Sequence, residues 1–184
     1  ESELQSVNDI IEQSIPERFE GIVKAYPDRL ALKMGDRSLS YDELNRHANR
    51  IARAIVEKRG SGSEPIALLF DHGIDLIAAI FGVLKAGKFF VVLDPTSPIA
   101  RTNLIAADSQ AKLLVINDRG RSGSRLVSNI VDATLNIDEL VCGVSDENLE
   151  IAISPATTSS IMYTSGSTGT PKGVIDTHAN ILES

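Results

Sequence analysis

The chain has 184 residues, 42% hydrophobic and 23% charged, with a net charge of −7 at neutral pH. That length suits one domain or two tightly packed subdomains around a sizeable core, and the acidic balance argues against a nucleic-acid partner, whose phosphates call for a basic face. No apolar run is long enough to span a bilayer, no signal peptide opens the chain, and the single Cys142 permits no internal disulfide, which fits a reducing, cytoplasmic setting.

In chain order, Ile15-Pro16-Glu17 reads as a helix start, with Pro in the first turn and an acid at the positive end of the dipole. Phe19, Ile22, Val23 and Tyr26 follow at helical spacing until Pro27. Leu30 to Met34 and Arg37 to Leu39 form a hairpin about Gly35-Asp36. Ser40 and Glu43 make a capping box for a long helix with Leu44, Ala48, Ile51, Ala52 and Ile55 on one face. Gly60 to Ser63 is a break. Ile66 to Phe70, Phe89 to Leu93 and Leu113 to Ile116 are continuous apolar runs, as expected of strands covered on both faces. Between them lie a helix marked by Ile74, Ile77, Ile80, Phe81 and Leu84, closed by Gly87, and another opened by Pro98 and carrying Arg101, Leu104 and Ile105. Alternating strands and helices predict an α/β fold, a mostly parallel sheet flanked by helices. Asp118 to Ser124 reads as a polar Gly/Ser/Arg loop, Leu126 to Leu140 has no clear period, and Asp146 to Thr158 is a loop broken by Pro155.

Ser160 to Tyr163 is a short strand leading into Tyr163-Thr164-Ser165-Gly166-Ser167-Thr168-Gly169-Thr170-Pro171-Lys172-Gly173. Glycines let a backbone turn tightly and approach a ligand. Hydroxyls, free N–H groups and an ammonium together suit a polyphosphate. The segment is not a Walker loop, because Pro171 separates Thr170 from Lys172 and Gly173 follows the lysine. A Ser/Gly linker would share its composition, and the order of residues separates the two.

That order resembles the phosphate-loop motif of the adenylate-forming superfamily, which includes acyl-CoA synthetases, luciferases and the adenylation domains of nonribosomal peptide synthetases. Leu39-Ser40-Tyr41-Asp42-Glu43-Leu44-Asn45, Leu84-Lys85-Ala86-Gly87 leading to Leu93-Asp94-Pro95, and Asp108 to Leu114 are similar to further stretches of the adenylation domains. Val92 and Phe90 depart from them, where Pro and Tyr are usual. The resemblance runs from about Ile15 to the last residue. It implies the N-terminal part of the adenylate-forming fold, with residues 1–14 an extension or linker and 15–184 a truncated N-terminal subdomain.

The resemblance also implies an enzyme that activates an amino acid, or another carboxylic acid, with ATP and Mg2+ and passes the acyl group to the phosphopantetheine thiol of a carrier domain. Thr164, Ser165, Gly166, Ser167, Thr168, Gly169, Thr170 and Lys172 would hold the phosphates. The family's catalytic lysine, acidic metal ligand and acid-selecting pocket have no counterpart here, so the fragment is expected to be inactive alone and to need the remainder of the domain. A fatty acyl-AMP or acyl-CoA ligase fragment shares the loop, and a degenerate docking module is a further alternative.

Other polar residues have plainer readings. His47 lies on the polar face of the long helix. Asp71, His72 and Asp75 follow a buried strand, where ligands bind in open α/β sheets, yet Asp also caps helices well. Asp42 and Glu43 belong to the capping box rather than to a catalytic pair. Arg119, Arg121 and Arg125 form a solvated basic cluster. His178 follows Thr177, a candidate N-cap, and sits near the motif, so a first-turn residue and a functional one both fit. Three histidines and one cysteine offer no metal-ligand spacing.

Overall fold

The computed structural model describes residues 13–127, 130–140, 143–165 and 171–184. Helix α1 (Ile15–Ala25) begins with a capping box: the Ser14 side chain accepts from Glu17 N–H, and the Glu17 carboxylate accepts from Ser14 N–H. Strands β1 (Leu30–Met34) and β2 (Arg37–Ser40) pair antiparallel, Met34 opposite Arg37, with Gly35 at φ 58° in the turn. Helix α2 (Tyr41–Arg59) starts with the predicted Ser40–Glu43 box and buries Leu44, Ala48, Ile51, Ala52 and Ile55. After β3 (Pro65–Leu69), α3 (Ile74–Lys85) ends where Gly87 N–H bonds Leu84 C=O and Lys88 N–H bonds Val83 C=O, so the glycine at φ 71° closes a Schellman turn. Strand β4 (Phe89–Leu93), helix α4 (Ile99–Ser109) and strand β5 (Leu113–Ile116) follow.

The Asp118 to Ser124 stretch, expected to be a loop, is instead a 3-10 turn (Asp118–Gly120) running into helix α5 (Arg121–Val127). Composition misleads here because its glycines serve specific local contacts. Asn117 Oδ1 accepts from Gly120 N–H. A Cβ on Gly120 would lie 2.7 Å from the Leu69 carbonyl, and one on Gly123 would lie 3.2 Å from Leu69 Cδ2. The glycines therefore let this segment lie against the end of β3, and Val127 is buried. The aperiodic stretch beyond contains β6 (Ala133–Asn136) and a 3-10 turn (Ile137–Glu139). Strand β7 (Thr158–Ser165), strand β8 (Pro171–Thr177) and helix α6 (His178–Glu183) complete the chain.

Six strands form one sheet in the order β6-β5-β3-β4-β7-β8, parallel except for the antiparallel β7–β8 hairpin. Alternate residues of each strand feed cores on opposite faces, as the period of two requires. Ile66 and Leu68 join Leu44, Ile51, Ile55 and Val83 on one side. Ala67 and Leu69 join Ile105, Ala106 and Val127 on the other. The expected α/β class and covered strands are thus present. Phe90 is buried and Val92 packs against the first core, so the two departures from the adenylation-domain pattern are absorbed as apolar packing. Among the described residues no helix is long and apolar enough to cross a membrane.

Candidate functional site: the carboxyl edge of the sheet

Strands β3, β4, β5 and β7 run parallel, so their carboxyl ends share one edge, where ligands bind in open α/β sheets. At that edge the hairpin register pairs Thr164 with Lys172 and Ser165 with Pro171. Opposed residues of an antiparallel pair project to the same face, so Thr164 and Lys172 stand together, both exposed. No ion pair among the described residues involves Lys172. An exposed ammonium beside a hydroxyl, with no carboxylate partner among the described residues, fits an anionic ligand. Gly166, Ser167, Thr168, Gly169 and Thr170 link the two strands in sequence and lie outside the described residues.

The other hairpin face belongs to Ile161 and Tyr163, which pack on the second core. Tyr163 is opposite Gly173, and a Cβ there would lie 2.8 Å from Ile161 Cγ2 and 3.2 Å from Tyr163 Cζ. The Tyr163 hydroxyl donates to Asp108 Oδ2 at 2.6 Å. Burial, and then the Asp108 carboxylate, push the phenol well above its ordinary value, so it stays a donor. Next along the edge, Asp94 accepts from Thr96 N–H at 2.8 Å, Thr96 Oγ1 at 2.7 Å and Ser97 Oγ at 3.2 Å. The Thr96 bonds hold its carboxyl below the usual range.

Between the ends of β3 and β5 an open cleft of about 330 Å³ is lined by residues that include Met34, Arg37, His72, Asp75, Asn117 and Arg119. Asp75 accepts from Arg37 at 3.0 Å and from Asn117 at 3.0 Å. Burial raises its pKa, but these two hydrogen bonds outweigh that and leave it below the ordinary value. Asp75 is thereby satisfied within the fold, in the first turn of α3. His47 is half-buried rather than a plain surface residue, and burial lowers its pKa against the pull of Asp75.

His178 is buried in the first turn of α6, whose N-cap is Thr177, accepting from Asn180 N–H. Its Nδ1 accepts from Ile15 N–H at 3.3 Å, tying the end of the hairpin to α1. Burial lowers its pKa, partly opposed by Glu17. The geometry gives this histidine a bond in the fold, at the far end of β8 from Lys172.

Residues 19–184 match the family described as AMP-binding enzyme. The chain belongs to the AMP-binding enzyme family. It is 36% identical over 171 residues to bacitracin synthase 1 of Bacillus licheniformis, an alignment covering 92% of this chain and 3% of that protein. It superposes with a TM-score of 0.81 and 25% identity on the nonribosomal peptide synthetase FmoA3 bound to α-methyl-L-serine-AMP, covering 94% of this chain and 19% of that one. At 21% identity, the fold is also that of the N-terminal subdomain of NpsA from Klebsiella oxytoca, with a TM-score of 0.77 and coverage of 91% and 41%.

Two features of this AMP-binding chain escaped sequence reasoning. Asn148 Oδ1 accepts from Asn45, Asn49 and Lys85, docking the 143–150 loop on α2 and α3, and no sequence signal marks it. The Tyr163–Asp108 contact has no signal either: strand pairing puts Tyr163 opposite Gly173, where a ring fills the space a side chain leaves, but nothing in the sequence points to Asp108.

Proposed function

We propose that this chain is the N-terminal portion of an amino-acid adenylation domain of a nonribosomal peptide synthetase, with residues 15–184 a truncated N-terminal subdomain and 1–14 a linker or extension. The observation that carries the reading is the β7–β8 hairpin. It holds Thr164 and Lys172 exposed and opposed at the carboxyl edge of the sheet, at the two ends of a Gly- and hydroxyl-rich segment. The family match and the similarity to peptide synthetases along nearly the whole chain support it.

In the reaction an amino-acid carboxylate oxygen bonds to the α-phosphorus of ATP, the bond to the bridging oxygen breaks, and pyrophosphate leaves with that electron pair. The aminoacyl-adenylate is then attacked by a carrier-domain phosphopantetheine thiol, releasing AMP. The barrier is largely electrostatic, since two anions meet and charge grows on the leaving group. Lys172 supplies positive charge to the β- and γ-phosphates. Thr164 and Ser165, with Gly166, Ser167, Thr168, Gly169 and Thr170, supply hydroxyl and backbone donors. Mg2+, when bound, neutralises phosphate charge. In this reading the acid-selecting and metal-binding residues belong to the remainder of the domain, and we assign the reaction to the cytoplasm.

Lys172→Ala, in a protein carrying the whole domain, should cut kcat/KM for ATP about 10- to 100-fold, the worth of one charge-assisted bond. The thermal midpoint should be unchanged, because the side chain is exposed. Wild-type ATP kinetics in that variant would remove Lys172 from the site.

A further inference from the structure

Positioning a phosphate ligand to within fractions of an ångström needs a rigid support, and the hairpin has little of its own. Its ladder to the rest of the sheet registers one pair, Phe90 with Ser160, near the hairpin base. From Ser160 to the last described residue of β7, Ser165, the strand extends about 17 Å at the usual rise. The outer edge of β8 has no strand partner among the described residues. The distal half, which carries Thr164 and Lys172, therefore needs another tie.

Tyr163 provides one. Its hydroxyl reaches Asp108 on α4 at 2.6 Å. Its ring lies over Gly173 on the opposite strand, close enough that a Cβ there would meet Cζ at 3.2 Å and Cε1 at 3.4 Å. One side chain thus joins β7, β8 and α4, and it does so adjacent to both Thr164 and Lys172. Asp108 is the penultimate residue of α4, whose Ile105 and Ala106 are buried in the second core, so the tie runs from the hairpin to a helix packed on the sheet.

We propose that Tyr163 and Asp108 are paired positioning residues that hold the distal hairpin, and with it Thr164 and Lys172, in the geometry that receives the ATP phosphates. The proposal rests on the adenylating reading above. Tyr163→Phe keeps the ring over Gly173 and deletes only the hydrogen bond, Asp108→Ala deletes the acceptor, and Asp108→Asn keeps an acceptor of the same shape.

The test is ATP–pyrophosphate exchange on a protein carrying the whole domain, titrating ATP and the amino acid separately, with hydrogen exchange of the 172–177 amides on the same variants. Tyr163→Phe and Asp108→Ala should each raise KM for ATP about three- to ten-fold with KM for the amino acid unchanged. The double variant should be no worse than either single one, because both delete one bond, and Asp108→Asn should restore most of the loss. Faster exchange of the β8 amides should accompany the kinetic change. Equal rises in both KM values, multiplicative single effects, or a failure of Asp108→Asn to rescue would overturn the pair. If the wild-type protein exchanges with no acid, the adenylating reading fails by itself. The amides then decide the tie alone: unchanged protection in Tyr163→Phe overturns it.

Discussion

Gly173 shows how little slack single positions of the hairpin have. A methyl group there would press on Ile161 at 2.8 Å and on the Tyr163 ring at 3.2 Å, and Ile161 is held by the second core. Gly173→Ala should cost about 1–3 kcal/mol, the usual penalty for overpacking, seen as a lower urea midpoint; an unchanged midpoint would mean the ring moves aside freely. His178 makes a pH-dependent contribution whose sign follows from its burial. Its folded pKa lies below the ordinary 6.5, so above that pH it is neutral in both states and the Ile15 contact is intact. As pH falls through 6.5 the unfolded chain takes up the proton first, and stability is lost. His47 shifts in the same direction, so the control is a difference: His178→Asn should flatten part of the stability slope between about pH 5 and 7. An identical slope in that variant would contradict the assignment.

At the scale of elements, local rules carried much of the fold. The Ser40–Glu43 box, the Gly87 turn and the apolar stripes were all readable because each is set by neighbours within a few positions. The second capping box, Ser14–Glu17, follows the same rule, although Pro16 is the more visible signal of that helix start. Helix α5 was not readable, because Gly123 serves the contact with Leu69 of β3, and Gly120 in the turn before it serves that contact and the Asn117 cap, rather than any helix propensity. The stretch from Asp146 was readable as a loop but not as a docked one, since the partners of Asn148 lie 63 to 103 residues away in sequence. Asn148 gathers donors from Asn45, Asn49 and the buried Lys85, and Lys85 is also paired with Glu20 of α1. Asn148→Ala should leave those donors short of an acceptor at a cost of about 1–2 kcal/mol, lowering the thermal midpoint by about 2–8 °C. No change in midpoint would show that solvent replaces the asparagine fully.

At the scale of the whole molecule, the sheet is filled on both faces except at its β7–β8 end. Met162, Val174 and Ile175 are 47%, 49% and 63% exposed there, on a terminal strand pair next to the proposed phosphate loop. The proposed phosphate loop rests on eleven consecutive residues, while the Tyr163–Asp108 contact beside it was not legible, because it spans 55 positions and depends on the sheet order. The Asp71, His72 and Asp75 group, legible only as an edge position, proved to line a cleft in which Asp75 is already satisfied. The chain spans a few per cent of bacitracin synthase 1 and under half of the NpsA subdomain. The deciding experiment is acid-dependent ATP–pyrophosphate exchange over a panel of amino acids, fatty acids and aryl acids, on the reading frame extended past Ser184 with the 184-residue chain alongside. Exchange with one or a few amino acids by the extended protein, and none by the shorter chain, is expected. Exchange with fatty or aryl acids alone would refute the amino-acid reading, and none from a folded extended protein would refute the adenylating one.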